Sequence, residues 1–161
     1  MRNLNHQIKQ FEGQVEIIIN DHETDIVGKK RNDLLNLAKG DYVVAIDSDD
    51  EVSMDYVKLI LRAAKEGSDC IGISGIITTN GRNPKQWHIS KDYGSWYEKN
   101  RVYYRTPNHI SPIKRELALK VMFPEIQFAE DADFSKRVLP HLKTESKVKG
   151  NIYTYKYISK K

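Results

Sequence analysis

Three aspartates and a serine stand together at Asp47-Ser48-Asp49-Asp50, directly after the apolar run Tyr42-Val43-Val44-Ala45-Ile46. Clustered carboxylates repel one another and raise each other's pKa unless a cation joins them. An all-oxygen ligand set of this kind suits Mg2+ or Mn2+, ions that keep waters and share a substrate phosphate. The same four residues could equally form a turn into the next helix, with Ser53 as its cap. A second acidic group, Glu130-Asp131-Ala132-Asp133, opens a later helical stretch, where nearby main-chain N–H groups favour an ionised carboxylate.

The elements that must position these groups follow from periodicity. Leu4, Ile8 and Phe11 fall on one helix face, and Gly13 stops that helix. Val15–Ile19 then reads as a buried strand ending at Asn20-Asp21. A helix over Lys29–Ala38 stops at Gly40, and Tyr42–Ile46 is the clearest strand. A third helix over Met54–Glu66 closes at Gly67, before a strand over Cys70–Thr78. This alternation predicts an α/β domain whose mainly parallel sheet is covered by helices on both faces. Ligands of such sheets bind beyond the carboxyl ends of the strands, so Asp21 and Asp47–Asp50 should converge on one crevice. Asn80–Thr106 breaks the pattern and reads as a long loop or irregular hairpins. Ser111–Val121 and Glu130–Leu139 read as helices, and Asn151–Ile158 as a late strand.

At 161 residues the chain has the length of one domain, with 39% hydrophobic and 30% charged residues as in ordinary globular proteins. A lone cysteine, Cys70, excludes an internal disulfide and a cysteine metal cluster, and its neighbours Ile71 and Ile73 suggest burial. No apolar run approaches the ~20 residues that span a bilayer, and the first residues lack the pattern of a secretory signal. A cytoplasmic setting is expected. The net charge of +4 is concentrated by lysines from Lys143 to Lys161 and favours anionic partners such as nucleotide diphosphates or nucleic acid.

The segments Gly28-Lys29-Lys30-Arg31-Asn32, Ala38-Lys39-Gly40-Asp41-Tyr42 and Ile46-Asp47-Ser48-Asp49-Asp50 together resemble the central signature of the family 2 glycosyltransferases. Glu130-Asp131-Ala132-Asp133-Phe134, about 80 residues further on, resembles that family's Glu-Asp motif. The resemblance covers about Val15 to Leu139. It implies a single GT-A domain over 1–161, with a nucleotide-binding half (1–79) and an acceptor-binding half (80–161). It also implies Mn2+- or Mg2+-dependent, inverting transfer of a sugar from a nucleotide-diphosphate sugar, with UDP favoured, to a hydroxyl. By the same resemblance Asp21 contacts the nucleotide base, and Arg31, with Lys30, lies by the base and diphosphate. Asp47 and Asp49 face the nucleotide sugar and the metal, and Asp50 is the main protein ligand to the ion. Asp131 is the general base. His109 matches a late histidine that serves some GT-A enzymes as a further metal ligand. Trp87, Trp96 and Glu130 lie where the acceptor is bound. That acceptor is a glycan, a lipid-linked sugar or modified DNA, and a homo-oligomer is compatible with the pattern.

Two other readings stand beside this one: a nucleotidyltransferase using the same metal logic, and a non-catalytic nucleotide- or nucleic-acid-binding module. The sequence also departs from the family pattern. Members open with a buried strand before the first helix, whereas this sequence starts at what reads as that helix. The departure leaves a sheet edge that would need covering, by another segment or a partner chain.

Overall fold

Two apolar layers enclose an eight-stranded mixed sheet in the computed structural model, which describes residues 2–22 and 25–158. The elements run α1 (Arg2–Ile8), a 3-10 turn (Lys9–Phe11), α2 (Val27–Leu37), β1 (Tyr42–Val43), β2 (Glu51–Val52), α3 (Tyr56–Ala64), β3 (Cys70–Thr79) and β4 (Arg82–Ile89). They continue with β5 (Tyr97–Lys99), β6 (Val102–Arg105), β7 (Ile113–Lys114), α4 (Arg115–Val121), α5 (Glu130–Val138), a second 3-10 turn and β8 (Glu145–Tyr157). The main path of the sheet is β1-β7-β3-β4-β6-β5, and β8 pairs with β2 and with β3.

One core lies on the α1/α3 face, where Tyr56, Val57 and Ala63 pack on Ile71, Ile73, Trp87 and Tyr153. The other lies on the α2/α4/α5 face and joins Leu35, Ala118, Phe134 and Val138 to Cys70 and Ile113. β1 shows how the sheet divides them. Tyr42 packs toward the first core and Val43 toward the second, as period-2 side chains must. Buried Gln7 fastens α1 to the rest of the first layer. Its amide donates to the Ser53 carbonyl (2.8 Å) and accepts from the Val57 N–H (2.9 Å).

Helices α2, α3, α4 and α5 lie where the periodicity puts them, and Cys70 is fully buried at the head of β3. The sheet differs from the expectation in direction. Only β3–β8 and β4–β6 are parallel, and the other five pairings are antiparallel. Asn80–Thr106 supplies much of that difference, since it folds as β4, β5 and β6 rather than as a loop. Its turns are built at Asn80-Gly81 (φ 51 and 71) and Asn100-Arg101 (φ 52 and 63), left-handed pairs that reverse a hairpin tightly.

Val15–Ile19 is not the buried strand expected. Among the described residues it joins no ladder, and Ile17 and Ile19 are 37% and 58% exposed. Tyr42–Ile46 enters a ladder only at Tyr42 and Val43. Ser53 does not cap α3 either, because its hydroxyl donates to Asp55 instead. Among the described residues no helix is long and apolar enough to cross a membrane.

Candidate functional site

The Asp47–Asp50 cluster leaves the end of the β1 segment, and the start of α5 faces it across a cleft of about 1750 Å³. His109 stands between them. Its Nε2 lies 3.4 Å from Asp47 Oδ2 and its Nδ1 lies 3.6 Å from Asp131 Oδ2. The ring is buried, and neither nitrogen completes a hydrogen bond of good geometry. The loop that carries it is pinned beside β1, because the Ala45 N–H donates to the His109 carbonyl (2.8 Å).

Arg31, from α2, ties the two acidic groups together on the other side. Its Nε donates to Glu130 Oε1 (3.1 Å) and its Nη2 to Asp47 Oδ1 (3.3 Å). Burial alone would raise the Asp47 carboxyl, but His109 and Arg31 outweigh it and hold the group down at about 2. Asp47 is thus ionised over the whole physiological range. Asp131 sits in the first turn of α5, with Oδ1 accepting from the Ala132 N–H (2.8 Å) and its other oxygen toward His109.

Asp49 and Asp50 have opposite surroundings. Asp50 turns inward, accepting from the Tyr153 hydroxyl (2.7 Å) and the Lys156 N–H (2.9 Å), and burial pushes its carboxyl up. Asp49 is exposed at the cleft. Asp50, expected as the principal metal ligand, lines the cleft as well, and each of its oxygens accepts one hydrogen bond that fixes β8 against the cluster. Tyr153 and Tyr155 of β8 were legible only as alternating strand residues. Tyr155 also lines the cleft, where burial and then the charges of Asp50 and Asp47 push its phenol up.

Other expected site residues divide. Lys30 lines the cleft and Asp21 is exposed at the end of the Val15–Asn20 segment without lining it. Trp87 is 4% exposed, set edge-on to Tyr153 in the core, so it forms no acceptor platform. Trp96 donates from its indole N–H to Thr106 Oγ1 (2.9 Å) and carries the Arg105 guanidinium over its ring, a packing role. Glu130 is buried against Arg31 on the wall of the cleft.

Among the described residues no group of three or more His, Cys, Asp or Glu side chains is arranged to hold a metal ion. The unbonded His109 Nε2 and Asp47 Oδ2 are spaced like neighbouring ligands of one ion, and exposed Asp49 stands beside them. Mg2+-type ions commonly take one or two carboxylates and fill their shell with substrate phosphate and water.

The sequence model described as glycosyl transferase family 2 matches residues 2–125, well over half of the chain. The chain belongs to glycosyl transferase family 2. Its fold is that of solved GT-A members. Two crystal structures of S. aureus TarS 1-349, one in complex with UDP-GlcNAc and one with UDP, superpose with a TM-score of 0.66 each, at 21% and 23% identity. They cover 99% and 94% of this chain and 47% of theirs. The crystal structure of S. aureus TarS superposes at 0.60 with 19% identity, over 97% of this chain and 28% of that one. The chain thus spans about half the length of the TarS 1-349 structures. No curated protein matches it significantly.

Proposed function

We propose that this family 2 domain transfers a sugar from a nucleotide-diphosphate sugar to an acceptor hydroxyl, with inversion at the anomeric carbon. The observation that carries the reading is the line Asp47–His109–Asp131, which joins a donor-side carboxylate to a helix-borne base within one cleft. The UDP and UDP-GlcNAc held by the TarS structures support UDP as the nucleotide to test first.

In this reading Asp131 takes the proton of the acceptor hydroxyl as that oxygen bonds to the anomeric carbon. The bond from that carbon to the diphosphate oxygen breaks, and the nucleoside diphosphate leaves on the opposite face. Asp49, with Asp47 and His109, would hold a divalent cation, which when bound neutralises the charge gathering on the diphosphate. Arg31 keeps Asp47 ionised and aimed at the cleft. Glu130 positions Arg31. Lys30, on the cleft wall, is a cation available to the phosphates.

Replacing Asp131 by Asn keeps the shape and removes the base. Turnover of UDP-sugar into UDP and product should fall by about 10²- to 10⁴-fold, the usual contribution of a positioned base, while UDP affinity stays unchanged. Full activity in Asp131→Asn would reject the assignment.

A further inference from the structure

Strand β8 passes directly beneath the acidic cluster. Its residues Tyr153 and Thr154 pair with Val52 and Glu51 of β2 on one side, and Tyr153 to Lys156 pair with Gly75 to Thr78 of β3 on the other. Side chains carried there are held by strand ladders rather than by a loop, which fixes their aim. This stretch clasps Asp50, which accepts from the Tyr153 hydroxyl (2.7 Å) and the Lys156 N–H (2.9 Å).

Tyr155 lies between those two donors in the chain. Period-2 alternation puts its ring on the same face as Tyr153, about 7 Å further along the strand. The ring is half-buried, packs against the first core, and lines the cleft together with Asp47, Asp49 and Asp131. Burial is the first cause that pushes its phenol up. The charges of Asp50 and Asp47 follow, and Asp131 adds to them while Arg105 opposes. The phenol therefore stands within electrostatic reach of both acidic groups, the one after β1 and the one at the start of α5.

The two tyrosines differ in what their hydroxyls do. That of Tyr153 is committed to Asp50. That of Tyr155 has no hydrogen-bond partner among the described residues. Half-buried tyrosines usually bring their O–H to a partner, and here the cleft is where one would come from.

In the transfer reading the base and the departing diphosphate act on opposite faces of the anomeric carbon. The sugar ring then lies between Asp131 and the Asp47–Asp49 side, the region that Tyr155 borders. Ionised Asp47 can only accept hydrogen bonds, whereas a neutral phenol donates one. A few such polar groups on an otherwise apolar wall are what orient a small ligand and discriminate between similar ones.

We propose that Tyr155 contacts the transferred sugar, its hydroxyl donating to a sugar hydroxyl or acetamido oxygen, and so takes part in selecting the donor. The assignment rests on the sugar-transfer reading of the cleft.

The test is calorimetric titration of the whole chain with UDP and with UDP-sugars, each with Mn2+ and without acceptor. The sugar compared is whichever of UDP-glucose, UDP-galactose and UDP-GlcNAc the wild type binds tightest. Tyr155→Phe keeps the ring and removes only the hydroxyl. It should bind UDP as the wild type does, and bind the UDP-sugar about three- to tenfold more weakly, the loss expected for one hydrogen bond. Unchanged affinity for both ligands would overturn the assignment. Equal weakening of both would put the hydroxyl on the nucleotide or in the fold, and would overturn it as well. A wild type that binds neither UDP nor any UDP-sugar would reject the transfer reading itself, and the sugar contact with it.

Discussion

Asp49 and Asp50 are adjacent, chemically identical and placed in opposite environments. Removing Asp50 strands two donors, the Tyr153 hydroxyl and the Lys156 N–H, at the β2–β8 corner. Asp50→Ala should lower stability by about 1–3 kcal/mol, the usual range for an orphaned buried polar group, read as a fall in melting temperature. Asp49→Ala should leave the melt unchanged and cost Mn2+-dependent nucleotide binding. The reverse pattern would return the metal to Asp50. Asp47 makes a pH-dependent contribution. Its folded-state pKa of about 2 lies below the ordinary value near 3.9. The stabilisation is therefore complete above the unfolded value and is lost as pH falls from about 4 to about 2. Asp47→Asn should melt below the wild type at neutral pH and converge with it as the pH approaches 2. A gap that stays constant across that window would contradict the pairing. The sequence made the cluster legible because carboxylates after a buried strand are costly to assemble. It could not say which carboxylate turns inward, because that depends on a tyrosine and an N–H more than a hundred residues away.

The helices were readable because each has one apolar face and a stop, as in α3 with Val57, Ile60 and Gly67. The hairpins were less so. Asn80-Gly81 is a direct turn signal, but Asn100-Arg101 adopts the same left-handed pair without glycine and gives no local sign. Strand direction was misjudged because β4 and β7, which make much of the sheet antiparallel, are respectively a polar strand and a two-residue one. Gly28 shows what the resemblance alone leaves unexplained. A Cβ there would stand 1.8 Å from the Pro124 carbonyl oxygen, so α2 can approach the loop leading to α5 only with glycine. Gly28→Ala should push that loop outward, separating Arg31 from Glu130, and cost about 1–3 kcal/mol by overpacking along with most of the activity. Gly94→Ala, with nothing within 4 Å of the new carbon, is the matched control and should be silent in both assays. Equal melting temperatures for the two variants would show that the contact at Pro124 is not limiting.

At the scale of the molecule, two cores flank one sheet. The apolar run Val15–Ile19 has strand composition, yet composition cannot supply the neighbour against which a strand is buried. The candidate site lines one cleft, and nucleotide binding therefore tests the central claim most directly. Calorimetric titration of UDP, with and without Mn2+, should give metal-dependent binding to the wild type and to Asp131→Asn, and none to Asp49→Ala. Binding by Asp49→Ala equal to that of the wild type, or no metal-dependent binding by the wild type, would contradict it.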